Sequence, residues 1–339
     1  MNRARAASNT PAPGQARPGV SDRARTLLLL LLLLLLPPLA GAGPRILVVT
    51  GGDSDVYRQM LDSVRAGIDG FCPDVATPDC APRLIEKGLD DGILERLGQE
   101  GERWSLIVTV GIEAARALQA REIRVPVLNT LIPRSAAAEL GLSPAGEEGS
   151  RSAVFIDQPL RRQLQLIPLI RPERHRLGVL LGPTTRDSAA AVRLDGRELG
   201  LQVQVREVDD GDKVGQAVRR ILSRSDVLLA LPDPLVYNRW TIVNIMLSSY
   251  HSRVPVIGFS AAYVRSGAVA AVYSTPEDVG RHVSDLIRRF LADPRRRLPA
   301  PQYPRYFHVR INTQVAHSLG IELPSADDVQ RRLEALEGP

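Results

Sequence analysis

Arg45-Ile46-Leu47-Val48-Val49-Thr50 runs directly into Gly51-Gly52-Asp53-Ser54. A continuous apolar run of this length is the mark of a strand buried on both faces. The glycines turn the chain. Asp53 or Ser54 then caps a helix whose Val56, Met60, Val64 and Ile68 recur at four-residue spacing. Buried strand, tight turn and amphipathic helix make one half of a βαβ unit, and the same grammar repeats downstream.

Strands are predicted at Trp104–Val110, Val125–Thr130 and Ala153–Ile156, with a helix at Ile112–Ala120 between the first two. The pattern then restarts. Helices at 159–170, 188–199, 213–223 and 241–249 alternate with strands at 176–181, 202–208, 226–231 and 255–259. Such alternation predicts an α/β protein with parallel sheets covered by helices on both faces. The restart predicts two such lobes, and a single (β/α)8 barrel is the competing architecture.

The N-terminus reads as a targeting segment. Arg23 and Arg25 precede ten leucines, Leu27–Leu36, followed by Pro37-Pro38-Leu39 and the small-residue tract Ala40-Gly41-Ala42-Gly43. That is a charged region, an apolar region and a cleavage site, as in a secretory signal peptide. The apolar part is too short to cross about 30 Å of hydrocarbon as a helix. The tract holds no cysteine for lipid attachment, so the reading is a soluble periplasmic protein and not a lipoprotein. Cleavage after Ala42 removes five arginines and Asp22 from totals of 43 basic and 38 acidic residues, leaving 38 and 37. A near-neutral chain gives no reason to expect nucleic acid as a partner. In an oxidising compartment Cys72 and Cys80, eight apart, are expected to close a small disulfide loop, the alternative being two packed free thiols.

The second half carries a recognisable layout: Asp157-Gln158-Pro159-Leu160-Arg161-Arg162-Gln163, then Leu231-Pro232-Asp233-Pro234, then Val254-Pro255-Val256-Ile257-Gly258-Phe259-Ser260. Ser266-Gly267-Ala268, Pro276-Glu277-Asp278-Val279-Gly280 and Leu319-Gly320-Ile321-Glu322-Leu323-Pro324 follow. In this order along about residues 45–325, they resemble the ABC-transporter substrate-binding protein family of type I periplasmic-binding-protein fold, and most its tryptophan-type branch. The resemblance implies two Rossmann-like lobes joined by three crossovers, with a small-molecule ligand in the cleft. The first lobe would be 43–157 plus 275–299. The second would be 158–274 plus 300–325, with 326–339 a tail and 1–42 the leader. It implies an exported protein that delivers a small organic molecule, an amino acid or derivative, to an ABC permease. A periplasmic sensor acting on a membrane receptor or histidine kinase is the alternative. The chain departs from the type in lacking a lipid-anchor cysteine, in the Cys72–Cys80 loop and in its aromatic content of 4%.

Ligands of parallel sheets bind at the carboxyl ends of the strands. Those ends nominate Gly52, Asp53, Gly111, Ile112, Asn129 and Thr130 in the first lobe. In the second they nominate Thr184, Thr185, Asp233, Tyr237, Asn238, Phe259 and Ser260. Asp233 is a candidate for a ligand ammonium or an Asx-type turn, and Phe259 for stacking or for the core. Asp53, Thr184 and Thr185 are equally readable as helix caps. No cofactor is expected. There is no G-x-G-x-x-G fingerprint, no H-E-x-x-H and no complete G-x-S-x-G elbow. Ser260 is the one plausible nucleophile, and His175, His251, His282, His308 and His317 lack an evident orienting acid, so no enzymatic activity is expected.

Overall fold

A computed structural model describes residues 43–73, 80–100, 104–142, 149–173 and 176–337. The leader, His175 and the last two residues lie outside the described residues.

The first sheet has five parallel strands in the order β2-β1-β3-β4-β5. They are β1 (Arg45–Thr50), β2 (Arg83–Gly88), β3 (Leu106–Val110), β4 (Val127–Ile132) and β5 (Arg151–Phe155). The pleat sends alternate residues of β1 to opposite faces. Ile46 and Val48 pack against α1 (Asp55–Ile68), whereas Leu47 and Val49 pack against α2 (Ile93–Glu100) and α3 (Ile112–Gln119).

The second sheet has six strands in the order β11-β10-β9-β8-β6-β7, with only β11 antiparallel. They are β6 (Arg176–Leu181), β7 (Gln202–Glu207), β8 (Val227–Leu229), β9 (Val256–Gly258), β10 (Ala270–Tyr273) and β11 (His308–Ile311). One face carries α4 (Leu160–Ile170), α5 (Ala189–Glu198) and α11 (Ala326–Glu337). The other carries α6 (Val214–Leu222) and α7 (Ile242–His251), and α8 (Ala261–Arg265) follows β9. Thr313–Ser318 forms α10. Two open sheets, each with its own edges and core, rule out the closed barrel.

The chain passes between these units three times. After Phe155 it enters α4 of the second core. After Tyr273 it returns as α9 (Pro276–Ala292), which packs on α1 in the first core. After α9, Gly149 bridges Leu298 and Val154 bridges Gln302, so residues 298–302 run beside β5. The third crossover therefore starts past Gln302, later than position 299. Residues 326–337 are no tail, because α11 buries Val329 and Leu333 against α4 and β11. Cys72 and Cys80 form a disulfide, with Cα atoms 5.2 Å apart, in the connection between α1 and β2.

The returning helix begins with a capping box: Thr275 Oγ1 accepts from Asp278 N, and Thr275 N donates to Asp278 Oδ2 at 2.8 Å. It then approaches α1 closely through two glycines. A Cβ on Gly67 would collide with Ser284, and one on Gly280 with the Met60 carbonyl and, at 2.7 Å, the Ser63 Cβ. Gly280→Ala is therefore expected to destabilise the protein by about 1–3 kcal/mol through overpacking. Gly211→Ala, with nothing within 4 Å, should stay within about 0.5 kcal/mol of wild type. Urea denaturation of the two variants measures the contrast.

Candidate functional site

At the carboxyl edge of the first sheet, backbone hydrogen bonds level the strand ends: Gly51 N donates to Val110 O and Gly111 N to Thr130 O, both at 3.0 Å. Ser54 caps α1 by accepting from Tyr57 N at 3.2 Å. Asp53 is not the cap; it is exposed and pairs with Arg58. Gly52 is exposed beside it. Gly111 has φ 90° and opens α3 without a side-chain cap. Glycine is required there twice over, by that backbone and because a Cβ would strike the Tyr57 hydroxyl.

Tyr57 and Glu113 therefore converge on the two strand exits. The Glu113 carboxylate Oε2 lies 3.2 Å from where a Cβ on Gly51 would sit, and 3.5 Å from that on Gly111. Burial, and secondly the Glu113 charge, push the Tyr57 phenol up from its ordinary value. Ile112 is half-buried and packs inward against the cluster around Ala115 and Phe155. Sequence reading passed over both Tyr57 and Glu113, because each sits inside a helix where its residue type is unremarkable.

Two nominated residues turn inward. Asn129 Oδ1 accepts from Thr109 Oγ1 at 2.8 Å, and its Nδ2 donates to Ser152 O at 3.0 Å. Thr130 Oγ1 donates to Thr109 O at 2.6 Å. Both are buried, and they tie β3, β4 and β5 together in place of facing a ligand. The next residue, Leu131, has φ 52° where the register shifts between Thr130 and Ile132. This kink releases the chain toward Arg134, an exposed residue whose N–H donates to Asp157 Oδ2 at 2.5 Å. Burial holds the Asp157 carboxyl above the ordinary range, opposed by that N–H.

Of the two readings of Asp233, its contacts make the Asx-type turn. Its Oδ2 accepts from Thr184 N at 3.1 Å, Thr184 Oγ1 at 2.8 Å and Thr185 Oγ1 at 3.1 Å. Its Oδ1 accepts from Leu235 N at 3.0 Å and Val236 N at 3.3 Å. Five donors saturate a carboxylate that is 2% exposed. The group clamps the exits of β6 and β8 together, and Thr184 and Thr185 are its partners. A Cβ on Gly182 would collide with it.

The loop beyond is held the same way. Asn238 Oδ1 accepts from Trp240 N and Thr241 N, while its Nδ2 donates to Pro234 O and Leu235 O. Its amide is thus spent locally. Tyr237 is buried and touches Phe259 and Tyr263 edge-on, each with ring centroids 6.3 Å apart. Among the described residues its hydroxyl has no hydrogen-bond partner. Phe259 and Tyr263 lie 4.2 Å apart, both half-buried, and burial pushes the Tyr263 phenol up to about 12. Ser260 caps α8 by accepting from Tyr263 N at 3.4 Å.

A polar relay spans the three crossovers. Gln158 Nε2 donates to Ser274 Oγ at 2.8 Å, and Ser274 Oγ donates to Tyr306 O at 2.5 Å. Arg162 Nη1 donates to Gln158 Oε1 at 2.6 Å and Pro304 O at 3.0 Å. Its other nitrogens pair with Glu337 at the end of α11, and its plane lies 4.0 Å from the Phe307 ring. Among the described residues no three His, Cys, Asp or Glu side chains are grouped to hold a metal.

Asp233→Ala is expected to cost about 3 kcal/mol of stability, because it strands donors at two strand exits. The same variant, once refolded at low temperature, should keep its ligand affinity within about threefold, well under the 1.4 kcal/mol of a tenfold change. Chemical denaturation and titration calorimetry read the two effects separately.

Three solved structures show the same fold. The ABC domain in complex with L-Trp from Streptococcus pneumoniae is 17% identical, with a TM-score of 0.55 over 86% of this chain and 98% of that one. A ligand-free, open substrate binding protein with adhesive properties from Clostridium difficile is 17% identical, with a TM-score of 0.64 over 83% and 96%. A conserved domain protein from Vibrio cholerae is 20% identical, with a TM-score of 0.55 over 85% and 98%. No curated protein matches the sequence. Residues 93–330 match the family described as ABC transporter substrate binding protein. The two lobes and their crossovers are accordingly those of a type I periplasmic binding protein, and the chain belongs to the ABC transporter substrate binding protein family.

Proposed function

We propose that the chain is an exported protein that closes its two lobes on one small organic molecule bearing an ammonium group, an amino acid or derivative, and delivers it to an ABC permease. The observation that carries the ligand class is the exposed Glu113 carboxylate, which stands with Tyr57 at adjacent strand exits. A carboxylate so placed suits an ammonium once the second lobe excludes water. Arg134, after the neighbouring strand β4, is exposed and hydrogen-bonds the Tyr303 phenol through its side chain, and its remaining guanidinium N–H groups suit the opposite end of a zwitterion. The half-buried Phe259–Tyr263 pair on the second lobe supplies an apolar wall.

Contacts from both lobes at once favour the closed state, so ligand selects closure. Delivery to a permease follows from the family. The Arg23–Ala42 leader supports export to the periplasm, as does the Cys72–Cys80 disulfide, because such bonds persist in oxidising compartments.

A thermal-shift screen of the whole chain against amino acids, sugars, nucleosides and vitamins identifies the ligand. A ligand at roughly 100 times its Kd adds about 2.7 kcal/mol of stability. The expected hit carries an ammonium group. Glu113→Gln should weaken it about tenfold or more, while Asp53→Asn leaves it unchanged. A neutral sugar as best hit, or full affinity in Glu113→Gln, contradicts the assignment.

A further inference from the structure

Helix α7 has two apolar faces. Ile245 and Met246 enter the second-lobe core, as one face should. Val243, Leu247 and Tyr250 recur at helical spacing on another face and are exposed, and Trp240 precedes them by three residues at 74% exposure. No Asp, Glu, Lys or Arg stands between Trp240 and Tyr250. Arg239 and Arg253 bracket the stretch, and the Arg239 guanidinium lies 4.5 Å from the Trp240 ring centre. Beside the stripe, Trp240 and Arg219 share a groove between α6 and α7 in which Asp212 is the one carboxylate.

From 213 to 253 the chain carries six basic residues, Lys213, Arg219, Arg220, Arg224, Arg239 and Arg253. Of the acids there and just before it, Asp209 pairs with Arg186, Asp210 with Lys213 and Asp226 with Arg176 at 2.7 Å, and Asp233 is the buried clamp, so Arg219, Arg220, Arg224, Arg239 and Arg253 stand against Asp212 alone. Charge complementarity therefore selects an anionic occupant. A second copy fits poorly, because an antiparallel pairing of two α7 stripes would set the Arg239 end of one against the Arg253 end of the other.

We propose that this face docks on an anionic lipid surface, with Trp240, Val243, Leu247 and Tyr250 entering the headgroup boundary and Arg239, Arg253 and Arg219 meeting lipid phosphates. An uncharged stripe with aromatic ends and flanking arginines has the chemistry of an interfacial helix. The stripe starts at Trp240, held by the loop that follows β8, and runs along the exposed side of α7 away from the carboxyl edge of the second sheet.

Fluorescence of the whole chain tests this, because exposed Trp240 responds to lipid while buried Trp104 supplies a constant background. Vesicles of 30% phosphatidylglycerol in phosphatidylcholine are expected to shift the emission to the blue and to protect it from acrylamide. Added salt should reverse the effect. Leu247→Asp should abolish it with an unchanged melting temperature, and Arg239→Gln and Arg253→Gln should each weaken partitioning about fivefold. Four results overturn the proposal: no response to anionic vesicles, an equal response to pure phosphatidylcholine, a lipid-free shift that grows with protein concentration, or emission already blue and protected without lipid. The third would identify a second copy as the occupant, and the fourth a segment of the chain itself.

Discussion

Two separately cored sheets are joined by three passages of chain, and the relay from Gln158 through Ser274 to the Tyr306 carbonyl binds those passages side by side. The rest of the molecule depends on this bundle. Each passage leads at once into a rigid element: Pro159 into α4, the Thr275–Asp278 capping box into α9, and Phe307 into β11. Any bending between the lobes would therefore be confined to a few residues, as a hinge requires. Arg162 completes the bundle from within α4. Its charge is buried, so its carboxylate partner Glu337 and its neutral acceptors Gln158 and Pro304 must all stay in place. The final described helix is thereby tied into the bundle of crossovers.

The two strand edges that such a hinge would bring together are built differently. The second lobe spends its carboxylate internally, since Asp233 aligns two strand exits through five hydrogen bonds. What it leaves outward is aromatic, the Phe259–Tyr263 pair. The first lobe spends its amides and hydroxyls on strand alignment through Asn129, Thr130 and Thr109, and leaves Glu113, Tyr57 and Arg134 outward. One lobe offers charge and the other an apolar wall. On the proposed reading neither alone would surround a ligand, which is the condition for coupling binding to closure.

The fold was legible wherever burial on both faces forced a continuous apolar run. β1, β3, β4 and β6 announce themselves in that way, and so do the four-residue periods of α1. β2 reads Arg-Leu-Ile-Glu-Lys-Gly, an edge strand whose charges suit an open edge and hide it from an apolar search. β10, at four residues, is too short to show a period. Most of α11 is polar, and only Val329 and Leu333 reveal its packing face.

The site was harder to read, because hydrogen-bond partners far apart in sequence carry no local signal. Thr184, Thr185 and Asp233 were each recognisable as strand-end residues. That they satisfy one another across 49 positions emerges only in the folded chain. A flanking pair of prolines made Asp233 look poised for a ligand, yet its burial has the opposite meaning. Glu113 carries no signal beyond that of a first-turn helix acid, and only the glycines at Gly51 and Gly111 make room for it at the edge. Swinging of the lobes about the laced crossovers to enclose a ligand would shorten the molecule, which small-angle X-ray scattering of the whole chain with and without saturating ligand measures. The radius of gyration should fall on binding, and fall less when Ser274→Ala cuts the relay. Tight binding at an unchanged radius of gyration would contradict such closure.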